Sequence, residues 1–298
     1  MTIKHISLPG GGPNFPVLYG AVKNLNLNKI WHFKNLESIH CTSCGAIIGI
    51  IIILIKLGIP WEDFDNYFIN RPWQNSYELT PEMVMGAYKN KGVINRNYFE
   101  IALISLFNTL DIPITISMKE FYQKSNITLH FYVTNFNDMK LENFNHETYP
   151  DLQLLDALQA TCALPPIIQP LHLNDKMYVD GGFFANNPIK QALDLVKEEK
   201  ELLGFDVIYP EPYFENLNEE STIIEYMSQL LSKLAWQCDP NSTKLLGPPK
   251  ISHFVSVKFK TVIKADFWEN VVNNPDFRKE LIELGEEYST LFIKYNKK

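Results

Sequence analysis

Three short glycine-bearing segments carry residue types that could perform acyl transfer. They are Gly10-Gly11-Gly12, Cys41-Thr42-Ser43-Cys44-Gly45 and Asp180-Gly181-Gly182. Consecutive glycines leave backbone N–H groups unscreened, and such groups can receive the negative oxygen of a tetrahedral intermediate. A serine on a sharp strand-to-helix turn is pushed outward, and the helix N-terminus behind it favours developing negative charge. An aspartate beside two glycines sits where the backbone turns tightly, and its carboxylate could take the serine proton.

Each segment also has a plainer reading. A glycine run before a helix can cradle a phosphate or simply turn the chain. A serine in such a turn can be a helix cap, and Asp-Gly-Gly an ordinary turn. The cysteines flanking Ser43 make a C-x-x-C at a helix start, where a thiolate would be stabilised. A redox domain of that kind is far shorter than this chain. Zinc would need a second pair at ligand spacing, which Cys162 and Cys238 do not form. Oxidation of Cys41 and Cys44 would staple the two sides of Ser43. The order Ser43…Asp180…His253 fits a Ser–His–Asp hydrolase, although His253 sits in the alternating run "ISHFVSV". The remaining histidines show no metal-ligand spacing.

The elements that must position these segments read as strand–turn–helix units. "IKHISL" predicts a strand running into the glycine turn, followed by a helix over "VLYGAVKNL". "SIHC" predicts a second strand, and Ala46 to Leu57 a helix buried on most sides. Two such units imply a parallel sheet, where sites form at the carboxyl ends of strands. Trp61 to Tyr98 reads as irregular and aromatic-rich, a possible cap. Helices are predicted over Phe99–Leu110, Asp151–Leu164 and "NPIKQALDLVKEEKEL", and two amphipathic ones near the C-terminus. Strands are predicted at "PITISM", "NITLHFYVTNF", "KMYVDGG", "LLGFDVIYP" and "ISHFVSVKF".

With 298 residues, 46% hydrophobic and 20% charged, the chain is globular and long enough for one large α/β domain, the expectation being a single domain over residues 1–298. A net charge of −7 argues against a nucleic-acid partner and offers no attraction to anionic membranes. Four cysteines are too few for a disulfide scaffold, and the first residues lack the apolar core of a signal peptide, so an intracellular, reducing setting is expected.

The sequence resembles the patatin-like phospholipase family. The strongest match is "DALQATCALPPIIQPLHLNDKMYVDGGFFANNPI", whose A-x-x-A-P-like stretch, Tyr178, Asp180-Gly181-Gly182 and Asn187-Pro188 follow that family's pattern. The serine segment and the Gly10–Gly12 loop are similar to its elbow and oxyanion loop. The resemblance implies a three-layer α/β fold with a mostly parallel central sheet and helices on both faces. It implies a Ser–Asp dyad, with Ser43 as nucleophile and Asp180 as base, and an oxyanion hole around Gly10, Gly11 and Gly12. Cys41, Cys44, Gly45, Asn14, Gly181 and Gly182 fall on supporting positions. It implies acyl-lipid hydrolysis without metal or cofactor, the substrate being a phospholipid or other acyl lipid met transiently at a membrane surface. Two departures stand out. The loop continues Pro13-Asn14-Phe15 where a basic residue and a glycine are usual, and Cys41 stands where glycine is usual. Both point to a slow enzyme, one with unusual substrate choice, or an inactive binding relative.

Overall fold

The protein is described by a computed structural model over residues 2–76, 80–208, 217–238, 250–259 and 265–296. The described residues build a mixed α/β structure on an eight-stranded sheet. The strands are β1 (His5–Leu8), β2 (Ser38–Thr42), β3 (Thr128–Asn135), β4 (Lys140–Phe144), β5 (Leu171–Leu173), β6 (Lys176–Asp180), β7 (Leu202–Ile208) and β8 (His253–Lys258). The helices are α1 (Phe15–Leu27), α2 (Cys44–Lys56), α3 (Trp61–Asn70), α4 (Pro81–Asn90), α5 (Arg96–Thr109), α6 (Met118–Ser125), α7 (Leu154–Cys162), α8 (Gly182–Ala185), α9 (Ile189–Leu193), α10 (Ile223–Cys238), α11 (Ala265–Asn273) and α12 (Pro275–Asn296).

Five strands run parallel in the order β3-β2-β1-β7-β8, while β4, β5 and β6 join by antiparallel pairing. From β1 the chain moves to β2 on one side and returns much later to β7 on the other. β1 is therefore the switch point at which α/β sheets open a crevice, and Gly10–Gly12 follows it directly.

Strand alternation sorts the sheet into two unlike faces. Ile6, Leu8, Ile39, Cys41, Leu129, Phe131 and Val133 are buried on one, in the main core. Helix α2 lies against it, and its run Ile50 to Ile55 is buried all round, as expected for a helix that is apolar on every side. The other face is polar yet buried. His5 Nδ1 hydrogen-bonds Ser38 Oγ at 2.8 Å, Ser38 Oγ meets His40 Nε2 at 2.9 Å, and His40 Nδ1 meets Tyr132 Oη at 3.0 Å. The His130 ring stacks on His40 at 4.4 Å. Helix α9 packs across β1, β2 and β7 on this side, with Ile189 in a small cluster with Leu202.

Several expectations are corrected. "PITISM" alternates like a strand, but it forms turns that lead into α6. Ser117 there makes a capping box with Glu120, which starts a helix instead. The stretch after Trp61 is helical, as α3 and α4. Phe64 and Phe68 sit one turn apart and pack on Tyr19 and Phe15 of α1, which is a helical spacing hidden among aromatics; residues 77–79 of that stretch lie outside the described residues. The run from Asn187 is helical only over Ile189–Leu193, because the chain must drop to Glu201, whose carbonyl accepts the Lys4 N–H, and enter β7 beside β1. Tyr209 and Pro210 of "LLGFDVIYP" also lie outside the described residues. No helix among the described residues is long and apolar enough to cross a membrane.

Candidate active site

The sheet register brings two strand ends together. β3 pairs with β4 over Phe131–Asn135 along one edge. Its other edge is shared by β2, which ends with Thr42 opposite Tyr132, and by β6, which ends with Asp180 opposite Val133. The two strands run toward each other and stop at adjacent rungs, so Ser43 and Asp180 meet although 137 positions separate them. Gly181 makes the meeting possible, since a Cβ there would lie 2.2 Å from the Tyr132 carbonyl oxygen.

Ser43 occupies φ 53°, ψ −128°, a conformation that costs a non-glycine residue about 1–3 kcal/mol and persists only where its surroundings hold it. Several contacts do so. The Ser43 N–H donates to Thr161 Oγ1 at 3.0 Å, and Thr161 Oγ1 donates to the Tyr132 carbonyl at 2.6 Å. Thr42 Oγ1 donates to the Ala185 carbonyl at 2.7 Å. Gly45 lets the α2 N-terminus sit on the end of β1, because a Cβ there would lie 2.5 Å from the Leu8 carbonyl oxygen. Ser43 stands at the α2 N-cap, yet its side chain makes no capping bond. The buried Asp180 carboxylate and the Cys162 thiol are its neighbours, near enough for the hydroxyl to favour the ionised form of each.

Asp180 is buried, with its N–H donating to the Ala163 carbonyl at 2.8 Å and its Oδ1 accepting the Gly182 N–H at 2.7 Å. Burial raises its pKa to about 6, against the pull of the Ser43 and Gly182 hydrogen bonds toward the ionised form. A carboxylate so placed can hold a proton in transit near neutral pH.

The glycine loop closes the arrangement. Gly10 N–H donates to the Asn186 carbonyl at 2.8 Å, and a Cβ on Gly10 would lie 3.1 Å from Ser43 Cβ. The loop also lies against the first turn of α2, where the Cys44 thiol donates to the Pro9 carbonyl at 3.9 Å. Pro13 is the second residue of the short turn Gly12–Asn14, where first-turn N–H groups have no partner within the turn and a missing one removes little, and Asn14 is fully buried. Cys41, standing where glycine is usual, is accommodated by α2: a Cβ on Gly49 would stand 2.8 Å from the Cys41 sulfur.

His253 is not brought to this site. It pairs with Leu203, which puts it level with Ile39. Ser43 lies four residues further along, about 13 Å by strand rise, and three strands away, about 14 Å more. Burial holds its imidazole below the usual range, as the alternating pattern around it predicts. Thr161 and Asn186 were not singled out from sequence, and Cys162 was weighed only as a metal ligand. Their contacts run to segments far along the chain, and only the proximity of Asn186 to Asn187-Pro188 could have drawn attention to it.

The patatin-like phospholipase family matches residues 6–193, which span β1 through α9 and every residue of the site just described. The chain is similar to a protein named probable lipid hydrolase 463L, from Invertebrate iridescent virus 6, at 28% identity over 196 residues; the match spans 64% of this chain and 63% of that one. Among solved structures it is similar to VipD from Legionella pneumophila, at 15% identity and a TM-score of 0.46 over 94% of this chain and 67% of that one. It is also similar to ExoU of the ExoU–SpcU complex from Pseudomonas aeruginosa, at 14% identity and a TM-score of 0.42 over 97% and 52%. By the family match across most of its length, and with the glycine loop, the serine turn and the Asp-Gly-Gly turn all inside the matched span, the chain belongs to the patatin-like phospholipase family.

Proposed function

We propose that the protein is a serine acyl-lipid hydrolase of the phospholipase A or lysophospholipase type, working through Ser43 and Asp180. The observation that carries this reading is the strained turn at Ser43, φ 53°, which sets the residue at the N-terminus of α2 with its side chain free of any capping bond and beside the buried Asp180 carboxylate. Strain that faces a base and a helix N-terminus is the arrangement of an activated nucleophile.

In the reaction, Ser43 Oγ attacks the acyl-ester carbonyl and its proton passes to Asp180. Negative charge on the carbonyl oxygen is received by N–H groups of the Gly11–Gly12 loop and the first turn of α2. The alcohol leaves with the proton held by Asp180. Water, deprotonated by the same carboxylate, then attacks the acyl-enzyme, and Asp180 returns that proton to Ser43 Oγ as the fatty acid is released. The substrate is a phospholipid, lysophospholipid or neutral acyl lipid.

Hydrolysis of a short-chain nitrophenyl ester tests the assignment. Ser43→Ala and Asp180→Asn each lower kcat/KM by about a thousandfold or more, and His253→Ala leaves it unchanged. A Ser43→Ala protein that keeps its activity would end this reading.

A further inference from the structure

Asn186 follows α8, and its side chain stands where the glycine loop meets the Asp-Gly-Gly turn. Neither backbone nor burial explains an asparagine there. Its φ of −61° and ψ of −38° are open to any residue, and the residue is exposed. The reason lies in its side-chain contacts. The Cβ that Gly10 lacks would stand 2.5 Å from Asn186 Oδ1 and 3.1 Å from Ser43 Cβ. The Cβ that Gly182 lacks would stand 3.1 Å from Asn186 Oδ1 and 3.1 Å from Asp180 Oδ1. One carboxamide therefore faces Ser43 across Gly10 and Asp180 across Gly182, and the two missing side chains leave it room.

Asn186 also holds both polar groups of Gly10. Its backbone carbonyl accepts the Gly10 N–H at 2.8 Å, and its Nδ2 donates to the Gly10 carbonyl at 3.4 Å. The second bond reaches the next residue. A trans peptide is planar, with its C=O and N–H on opposite edges, and the Gly10 carbonyl shares such a plane with the Gly11 N–H. A peptide between two glycines meets no Cβ on either side and turns over easily. Tied to Nδ2, it keeps the Gly11 N–H aimed away from Asn186.

We propose that Asn186 is a positioning residue for the oxyanion hole: its carboxamide fixes the Gly10–Gly11 peptide so that the Gly11 N–H meets the carbonyl oxygen that Ser43 attacks. This rests on the Ser43–Asp180 reading and deepens it by naming what orients one of its donors. The stretch that carries Asn186 is itself anchored at the site. The Gly182 N–H donates to Asp180 Oδ1, the Ala185 carbonyl accepts Thr42 Oγ1 beside the serine, and Asn187 Nδ2 donates to the Phe205 carbonyl at 2.9 Å. Base and elbow are thus held by one short piece of chain, and the Asn186 side chain extends that hold to the glycine loop. Preorganised donors stabilise an oxyanion because they need no rearrangement as charge develops. Without the tether the peptide has to find its orientation during the step.

A short-chain nitrophenyl ester and its thionoester, in which sulfur replaces the carbonyl oxygen, test this. Sulfur is a weak acceptor, so the thionoester draws little from the N–H donors. Nitrophenol release with enzyme in excess reads acylation alone. With the oxygen ester, Asn186→Ala lowers the saturating acylation rate by about tenfold, the loss of one hydrogen bond, and leaves half-saturation little changed. With the thionoester its rate matches that of the unmodified protein. A role in stability alone would move the unfolding temperature and neither rate. Thermal unfolding confirms that the variant is folded, and Asn186→Ser takes its place if it is not. An unchanged rate on the oxygen ester, or an equal loss on both esters, overturns the inference. Ser43→Ala, run alongside, separates this from failure of the underlying reading. If Ser43→Ala abolishes acylation and either of those results is found in Asn186→Ala, the peptide tether alone is rejected. Acylation retained in Ser43→Ala rejects the nucleophile as well.

Discussion

The two faces of the sheet are built from the same strands yet do different work. On the α2 side, Ile39, Cys41, Leu129 and Phe131 make a dry apolar surface that fixes where α2 begins and so where Ser43 turns. On the α9 side, His5, Ser38, His40, His130 and Tyr132 make a buried polar ladder closed by hydrogen bonds and ring stacking. The first face holds position by close packing, which tolerates little change of volume. The second holds by satisfied polar groups whose cost appears when a proton arrives. Position of the proposed nucleophile should therefore respond to volume, and stability of the sheet to pH.

The largest effect that would break this comparison is acid destabilisation. Burial lowers His130 from 6.5 to about 4 and His40 well below the usual range. Above pH 6.5 both folded and unfolded chains hold these rings neutral, so stability is flat. Between 6.5 and about 4 the unfolded chain binds a proton that the folded one refuses, and stability falls as pH falls. His130 alone contributes a loss of about 3 kcal/mol across that window. Urea midpoints at pH 7 and pH 4.5 read it, and His130→Gln flattens the difference. Equal slopes in the two proteins would remove the polar ladder as the cause.

A smaller effect belongs to the apolar face. Gly49→Ala drives a methyl into the Cys41 sulfur and destabilises by about 1–3 kcal/mol, with Cys41→Ala recovering part of the loss in the double variant. Additive losses would mean that the two residues do not share that space.

The smallest effect concerns the base. With Asp180 as the proposed base, acting ionised and with its pKa raised to about 6, kcat/KM is expected to be full above that value and to fall tenfold per pH unit below it. A pH–rate profile measured over the range in which the protein stays folded places the limb. A limb near 4 would show a carboxylate that is not desolvated.

The site was more legible in the sequence than the connections around it. Gly10–Gly12, Ser43 and Asp180 each follow a predicted strand with a glycine in the turn, and turn chemistry is local. What was not legible depends on distant segments. Thr161 matters because it links the Ser43 N–H to the Tyr132 carbonyl, a contact between α7, the elbow and β3. The tolerance of Cys41 depends on Gly49, in the second turn of α2. "PITISM" and the long run after Asn187 followed their local period, yet a capping box and the return to β7 overrode it. The head-on meeting of β2 and β6 has no local signature, since it arises only from registers against β3.

The most direct test of the central claim is mass spectrometry of the protein after brief exposure to an activated long-chain ester, quenched in acid. The account predicts one acyl group on the peptide that contains Ser43, absent from Ser43→Ala. An acyl group on Cys44, Cys162 or elsewhere, or labelling that survives Ser43→Ala, would contradict it.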